Sequence, residues 1–205
     1  MPEILDSLPH DDPEARRSRR DLRMINALMG SYRWIARALA EHSPSSAVEL
    51  GAGDGELGVR LANGGTPLAG LDFAPRPECW PEAWEWCQGD LFETLSARSE
   101  PAVVANLILH HFDDTGLREL GALLAGRDLL LFSEPARAWP HRLQAYALYA
   151  LGINRVTRHD IHVSIRAGFR RGELPALLGL DLGQWSIHEH HTALGALRLV
   201  ARRKI

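Results

Sequence analysis

The chain has 205 residues, 45% of them hydrophobic and 24% charged, with a net charge of −3. That length suits one domain with a decorated core, and the charge balance argues against non-specific nucleic-acid binding. No apolar run is long enough to span a membrane, no signal-peptide pattern opens the chain, and the two cysteines, Cys79 and Cys87, form neither a metal motif nor a disulfide framework. A soluble protein of a reducing cytoplasm is the expectation.

Residues 1–12 read as disordered. From Pro13 onward, Leu22, Ile25 and Met29, then Trp34, Ile35, Ala38 and Leu39, keep helical spacing, with Gly30-Ser31 breaking the pattern into two helices. The arginines at 16, 17, 19, 20 and 23 are interleaved with Asp12, Glu14 and Asp21 and read as a solvated helix face. Residues 42–46, His-Ser-Pro-Ser-Ser, form a turn or linker.

The most informative stretch follows. Ala47, Val48, Glu49 and Leu50 form a short apolar run with one acid, and the chain then breaks into glycines at 51, 53, 55 and 58 before a helical pattern resumes. Such a segment is a strand, a tight turn whose missing Cβ atoms admit a ligand, and a helix N-terminus aimed at that ligand. It is the turn of a nucleoside cofactor. A dinucleotide fingerprint G-x-G-x-x-G fits from Gly53, but the strand ends at Gly51, and from there Glu56 occupies the third glycine position.

Four further apolar runs follow at strand-like intervals. Residues 67–71 end in Asp72, about 20 residues past the turn, where an acid can accept both hydroxyls of a ribose. The connection after it is crowded by Pro75, Pro77 and Pro81, so any helix there is stunted. A run around Trp84 and Trp86 ends in Gln88-Gly89-Asp90-Leu91. Residues 102–109 lead into His110-His111-Phe112, and residues 129–132 into Ser133-Glu134-Pro135. Leu117, Leu120, Leu123 and Leu124 mark a helix over 116–127.

Beyond the fifth strand, residues 139–153 read as an apolar-aromatic helix. In the next segment Ile161, Val163 and Ile165 alternate with His162, Ser164 and Arg166, the pattern of an extended lid with one polar face, although Thr157 with Asp160 also suits a helix start. A helix over 173–178 and two closely spaced strands over 184–192 and 194–201 close the chain, the last pair as an antiparallel hairpin.

Read from Glu49 the glycine turn is E-x-G-x-G-x-G, and with Asp72, the Asp90 segment and the Asn106 segment in order it resembles the class I S-adenosylmethionine-dependent methyltransferases. The resemblance spans about residues 45–135 and resumes near Gly168-Phe169. It implies an α/β, Rossmann-like fold: a seven-stranded, mostly parallel sheet with a C-terminal antiparallel hairpin, an N-terminal helical cap in residues 1–45, and a methyltransferase domain in 46–205. Residues 136–166 would be a lid over the substrate, inserted after strand five.

The resemblance also implies roles. Glu49, Gly51, Ala52, Gly53 and Gly55 would hold the methionine end of S-adenosylmethionine, Asp72 and Phe73 the ribose region, Asp90 and Leu91 the adenine, and Asn106 the reacting side. His111, or less favourably His110, would take a substrate proton, because a histidine titrates near neutrality; on an extended segment only one of them faces the crevice. Trp139, Tyr146, His159, His162 and Arg166 would touch a small apolar substrate. Residues 106–112 and 164–169 also resemble small bacterial methyltransferases of polyketide- or quinone-type phenols, which favours O- over C-methylation. No metal is expected, and His188-Glu189-His190-His191 reads as an exposed sheet edge. The expected assembly is a monomer or homodimer. The alternatives are an NAD(P)-dependent oxidoreductase, disfavoured by the glycine frame and by the lack of a Tyr-x-x-x-Lys pair, and a catalytically silent cofactor-binding protein.

Overall fold

The computed structural model describes residues 3–9, 12–62 and 65–204. Seven strands form one sheet in the order β3-β2-β1-β4-β5-β7-β6. They are β1 (Ala47–Leu50), β2 (Leu68–Asp72), β3 (Trp86–Gln88), β4 (Ala102–Asn106), β5 (Leu129–Pro135), β6 (Trp185–His191) and β7 (Ala196–Arg203). The first five are parallel, with Ala47 opposite Ala102 and Val103 opposite Leu130, whereas β7 runs antiparallel to both β5 and β6. Parallel strands are covered on both faces and read as continuous apolar runs, as β1, β4 and β5 do.

One face is covered by α2 (Ser31–His42) and α3 (Glu56–Leu61), whose Ile35, Leu39, Leu57 and Leu61 pack with Val104 and Leu131. The other is covered by α4 (Leu91–Ser96), α5 (Asp114–Leu124) and α8 (Glu173–Leu177), through Leu95, Leu117, Leu120 and Leu174. The chain leaves β1 outward through β2 and β3, then returns to β4 on the other side. This reversal of strand order places a crevice at the carboxyl ends of β1 and β4, where ligands of open α/β sheets bind.

The helical break at Gly30 is present. Helix α1 (Pro13–Met29) starts on Asp12, whose side chain accepts hydrogen bonds from the Glu14 and Ala15 amides. It stops at Gly30, which takes a left-handed φ of 66°. Between β2 and β3 the proline-rich connection has no helix; it instead buries Trp80, which meets Trp86 edge-on with ring centroids 5.1 Å apart. A Cβ on Gly58 would lie 2.4 Å from the Trp80 ring. Gly58→Ala is therefore expected to destabilise the fold by about 1–3 kcal/mol through overpacking, read as a lowered midpoint in urea with unchanged slope.

Three expectations fail here. The supposed extended lid is helix α7 (Arg155–Ala167), capped by Asn154, whose side-chain oxygen accepts from the Thr157 amide at 2.8 Å. Its β-branched residues imitate strand alternation, but burying Val156, Thr157, Asp160 and Val163 on one side gives the segment a helical core face. Before it stand α6 (Trp139–Ala147) and a 3-10 turn, Leu148–Leu151, where one helix was expected. The N-terminal tip, where residues 1, 2, 10 and 11 lie outside the described residues, is not formless either. It holds a 3-10 turn at Leu5–Ser7, and the Ile4 and Leu5 amides donate to the Asp160 carboxylate at 2.8 and 3.0 Å. No helix among the described residues is long and apolar enough to cross a membrane.

Candidate active site

The glycine turn leaves β1 with three left-handed glycines, Gly51, Gly53 and Gly55, at φ of 63°, 54° and 72°. Each has a different neighbour. A Cβ on Gly51 would strike Ile108 at 2.8 Å, so this glycine lets the turn close on the loop after β4. A Cβ on Gly53 would meet only the Gly51 carbonyl oxygen, at 4.0 Å; the backbone there faces open space, as close approach of a ligand requires.

Asp72 fastens the turn to the end of β2. Its Oδ2 accepts from the Gly53 amide at 2.7 Å and its Oδ1 from the Ala74 amide at 2.8 Å. Phe73 beside it is 71% exposed, an apolar ring left outside the core. Asp90 is the N-cap of α4, where its Oδ1 accepts from the Phe92 and Glu93 amides. Leu91 and Ala52 are buried, which leaves mainly their backbones for a ligand; the Leu91 side chain belongs to the core.

The crevice also holds buried polar atoms without partners among the described residues. Glu49, only 2% exposed, leaves Oε2 unbonded, and Asn106 leaves Oδ1 unbonded. Burial, with Asp72 and Glu56 adding repulsion, pushes the Glu49 carboxyl well above the usual carboxylate range. Burial and the Glu49 carboxylate likewise push the Tyr32 hydroxyl upward. Helices α1 and α2 roof this side: Asn106 donates to the Asn26 side chain at 3.2 Å, and the Ser133 and Ser31 hydroxyls are hydrogen-bonded at 3.1 Å. Arg23 pairs with Asp54 of the glycine turn, and Arg19 reaches the same carboxylate at 3.9 Å. So part of the arginine face expected to be solvated clamps the cap onto the turn.

After β4 the chain forms a 3-10 turn, Leu109–His111, rather than an extended segment. The expectation that the two histidines point opposite ways fails with it, since their rings lie 4.4 Å apart. The cause is Glu134 at the end of β5, which is fully buried. Its Oε1 accepts from the Ile108 and Leu109 amides at 3.1 and 2.9 Å, and its Oε2 lies 2.8 Å from His110 Nδ1. Collecting successive amides on one carboxylate bends the backbone into a turn. His110 is buried, with Nε2 3.4 Å from Glu3 Oε1, whereas His111 is more exposed, its Nε2 4.0 Å from Glu3 Oε2. Burial works against charge on His110, but Glu134 and Glu3 together push its imidazolium up to about 9. His110 is thus an anchored group and His111 the accessible one.

The five expected substrate residues do come together, though not at the glycine turn. Trp139, Tyr146, His159, His162 and Arg166, with Leu143, Tyr149 and Arg158, line a cavity of about 670 Å³ between α6 and α7. Within it the Tyr149 hydroxyl lies 2.9 Å from His162 Nε2, and Arg158 stacks over the Tyr149 ring. The lining residues on α7, Arg158, His159, His162 and Arg166, are not among the buried residues of that helix, and no glycine-turn residue lines the cavity. In β6, His188 and His190 are exposed, as expected of a sheet edge.

Sequence reasoning missed Glu134, Glu3, Asn26 and Tyr32. Glu134 had one available signal, an acid followed by proline at the end of a buried strand. The other three depend on contacts made across the sequence by the N-terminal cap.

No family model matches the chain, and neither does any curated protein. Solved structures do. The plantazolicin methyltransferase BamL, in complex with a triazolic desmethylPZN analog and SAH, superposes with a TM-score of 0.73 at 10% identity, covering 97% of this chain and 92% of that one. Human N-acetylserotonin methyltransferase in complex with SAM gives 0.63 at 16% identity, covering 98% of this chain and 61% of that one. Magnesium protoporphyrin IX methyltransferase from Synechocystis PCC 6803 with bound SAM gives 0.56 at 14%, over 95% and 88%. The fold of this chain is therefore the class I methyltransferase fold.

Proposed function

We propose that this protein is an enzyme that transfers a methyl group from S-adenosylmethionine to the oxygen of a small apolar, phenolic or quinone-like molecule. The observation carrying this reading is the open Gly53 backbone tied to Asp72, above a buried Glu49 oxygen without a partner. A cation entering there would offset the cost of the buried carboxyl, and a sulfonium cofactor with an α-ammonium group is such a ligand. SAM or SAH in the three matched structures supports the same choice.

Glu49, Gly51, Ala52, Gly53 and Gly55 would hold the methionine end, Asp72 and Phe73 the ribose, Asp90 and Leu91 the adenine, and Asn106 the reacting side. The bound cofactor supplies an electrophilic methyl group. The protein's part is to hold the acceptor oxygen in line, exclude water and help remove the oxygen's proton. His111 is the group assigned to the proton. His110, pinned between Glu134 and Glu3, positions it. Calorimetry with S-adenosylmethionine, S-adenosylhomocysteine and NADH tests the reading: binding of the first two and not the third is expected, and NADH binding alone overturns it.

The substrate's apolar body is assigned to the α6–α7 cavity. Trp139, Leu143 and Tyr146 are each more than half exposed, an uncovered apolar surface that a ligand or a closing lid would bury. Because no glycine-turn residue lines this cavity, use of both sites requires α6 and α7 to repack. Proteolysis within residues 139–166 is accordingly expected to slow once S-adenosylhomocysteine and a phenolic substrate are bound. Unchanged cleavage rates would remove the lid from the mechanism.

A further inference from the structure

The pair of histidines and the N-terminal glutamate have a geometry that methyl transfer alone does not explain. His110, His111 and Glu3 each offer one ligand atom, and these three atoms lie within 4.8 Å of one another. The two imidazole-to-carboxylate distances are 3.4 and 4.0 Å, about what donors reach when each is some 2.0–2.2 Å from a shared ion. His110 is 8% exposed, and its Nε2 is a buried atom with no hydrogen-bond partner among the described residues, directed at Glu3.

The surroundings are also those of a metal site. His110 Nδ1 lies against the Glu134 carboxylate at 2.8 Å, so Nδ1 would keep its proton and Nε2 would be the nitrogen that gives up its proton to a cation. Glu134 in turn is held by the Ile108 and Leu109 amides, so this carboxylate–histidine pair is rigid. Glu3 accepts from the Ser164 hydroxyl, and the neighbouring Ile4 and Leu5 amides are bound by Asp160, so the third donor is held on α7.

We propose that Glu3, His110 and His111 form a binding site for a divalent transition-metal ion of the zinc type, with Glu134 and Ser164 as its supporting shell. Two imidazoles and one carboxylate are a donor set for such an ion, and three protein ligands leave a coordination position open. The site lies on the loop that follows Asn106, so the open position deepens the role given above to His111: the cation, rather than the imidazole itself, would lower the pKa of a substrate hydroxyl. Occupancy of the site does not depend on that role or on the methyl-transfer reading.

The test is calorimetric titration of Zn²⁺ into the chelator-treated full-length protein. One ion per chain is expected, with affinity falling at least about 10-fold in Glu3→Gln and in His110→Ala. Should His110→Ala fail to fold, His111→Ala changes a more exposed ligand and is expected to show the same loss. Wild-type affinity in His190→Ala is also expected, which separates the site from the histidines of β6. Absence of Zn²⁺ binding, retained affinity in both Glu3→Gln and His111→Ala, or loss of affinity in His190→Ala would each overturn the proposal. S-adenosylhomocysteine binding measured on the same samples reports on the methyltransferase reading separately.

Discussion

Gly53→Val is expected to abolish S-adenosylmethionine binding, and Asp72→Ala to weaken it by about 1.5–3 kcal/mol, in proteins that still unfold cooperatively. The two act by different routes. At Gly53 a branched side chain would fill the open space beside the turn, and φ of 54° is in the region that β-branched residues avoid. At Asp72 the carboxylate serves both ligand and backbone, because Gly53 and Ala74 each donate an amide to it. Removing it loses the ribose partner and releases the turn at once. Asp72→Asn tests whether both acceptor oxygens are needed. Its single carbonyl oxygen can accept from only one side while its NH₂ group faces an amide, so it should lose nearly as much affinity as Asp72→Ala. Titration with S-adenosylhomocysteine measures all three variants, and wild-type affinity in Gly53→Val and Asp72→Ala would sink the cofactor assignment.

The elements carrying that prediction are legible in the sequence because they are local. Strand β1, the glycines and Asp72 lie within 26 residues of one another, and each residue type is dictated by what its own backbone must do. The strands are readable for a related reason, since buried parallel strands announce themselves as apolar runs. The features that the sequence hides depend on distant partners. Residues 161–166 alternate as a strand would, and the Asn154 cap with packing against α1 and β5 makes the segment a helix. The 3-10 turn at His110 exists because Glu134, 24 residues later, gathers the preceding amides. Glu3 offers no pattern at all; its place is set by Asp160 and Ser164, more than 150 residues away.

His111→Ala is expected to lower turnover by about 10²–10⁴-fold, the usual contribution of a group that assists proton removal. Affinity for S-adenosylhomocysteine should barely change, because the imidazole is not part of the glycine turn. The deficit should shrink as pH approaches the phenol's own pKa of about 10, where the hydroxyl ionises unaided. His110→Ala should behave differently from a simple active-site change. It removes a buried ring from Glu134 and leaves that carboxylate short of a partner, so lowered stability is expected alongside lost turnover. Turnover of His111→Ala within threefold of wild type at pH 7 would refute the role in proton removal and leave positioning as the mechanism. Chelator treatment of the wild type divides the remaining possibilities: a matching loss of rate, restored by Zn²⁺, assigns proton removal to the cation that His111 holds, whereas an unchanged rate assigns it to the imidazole itself.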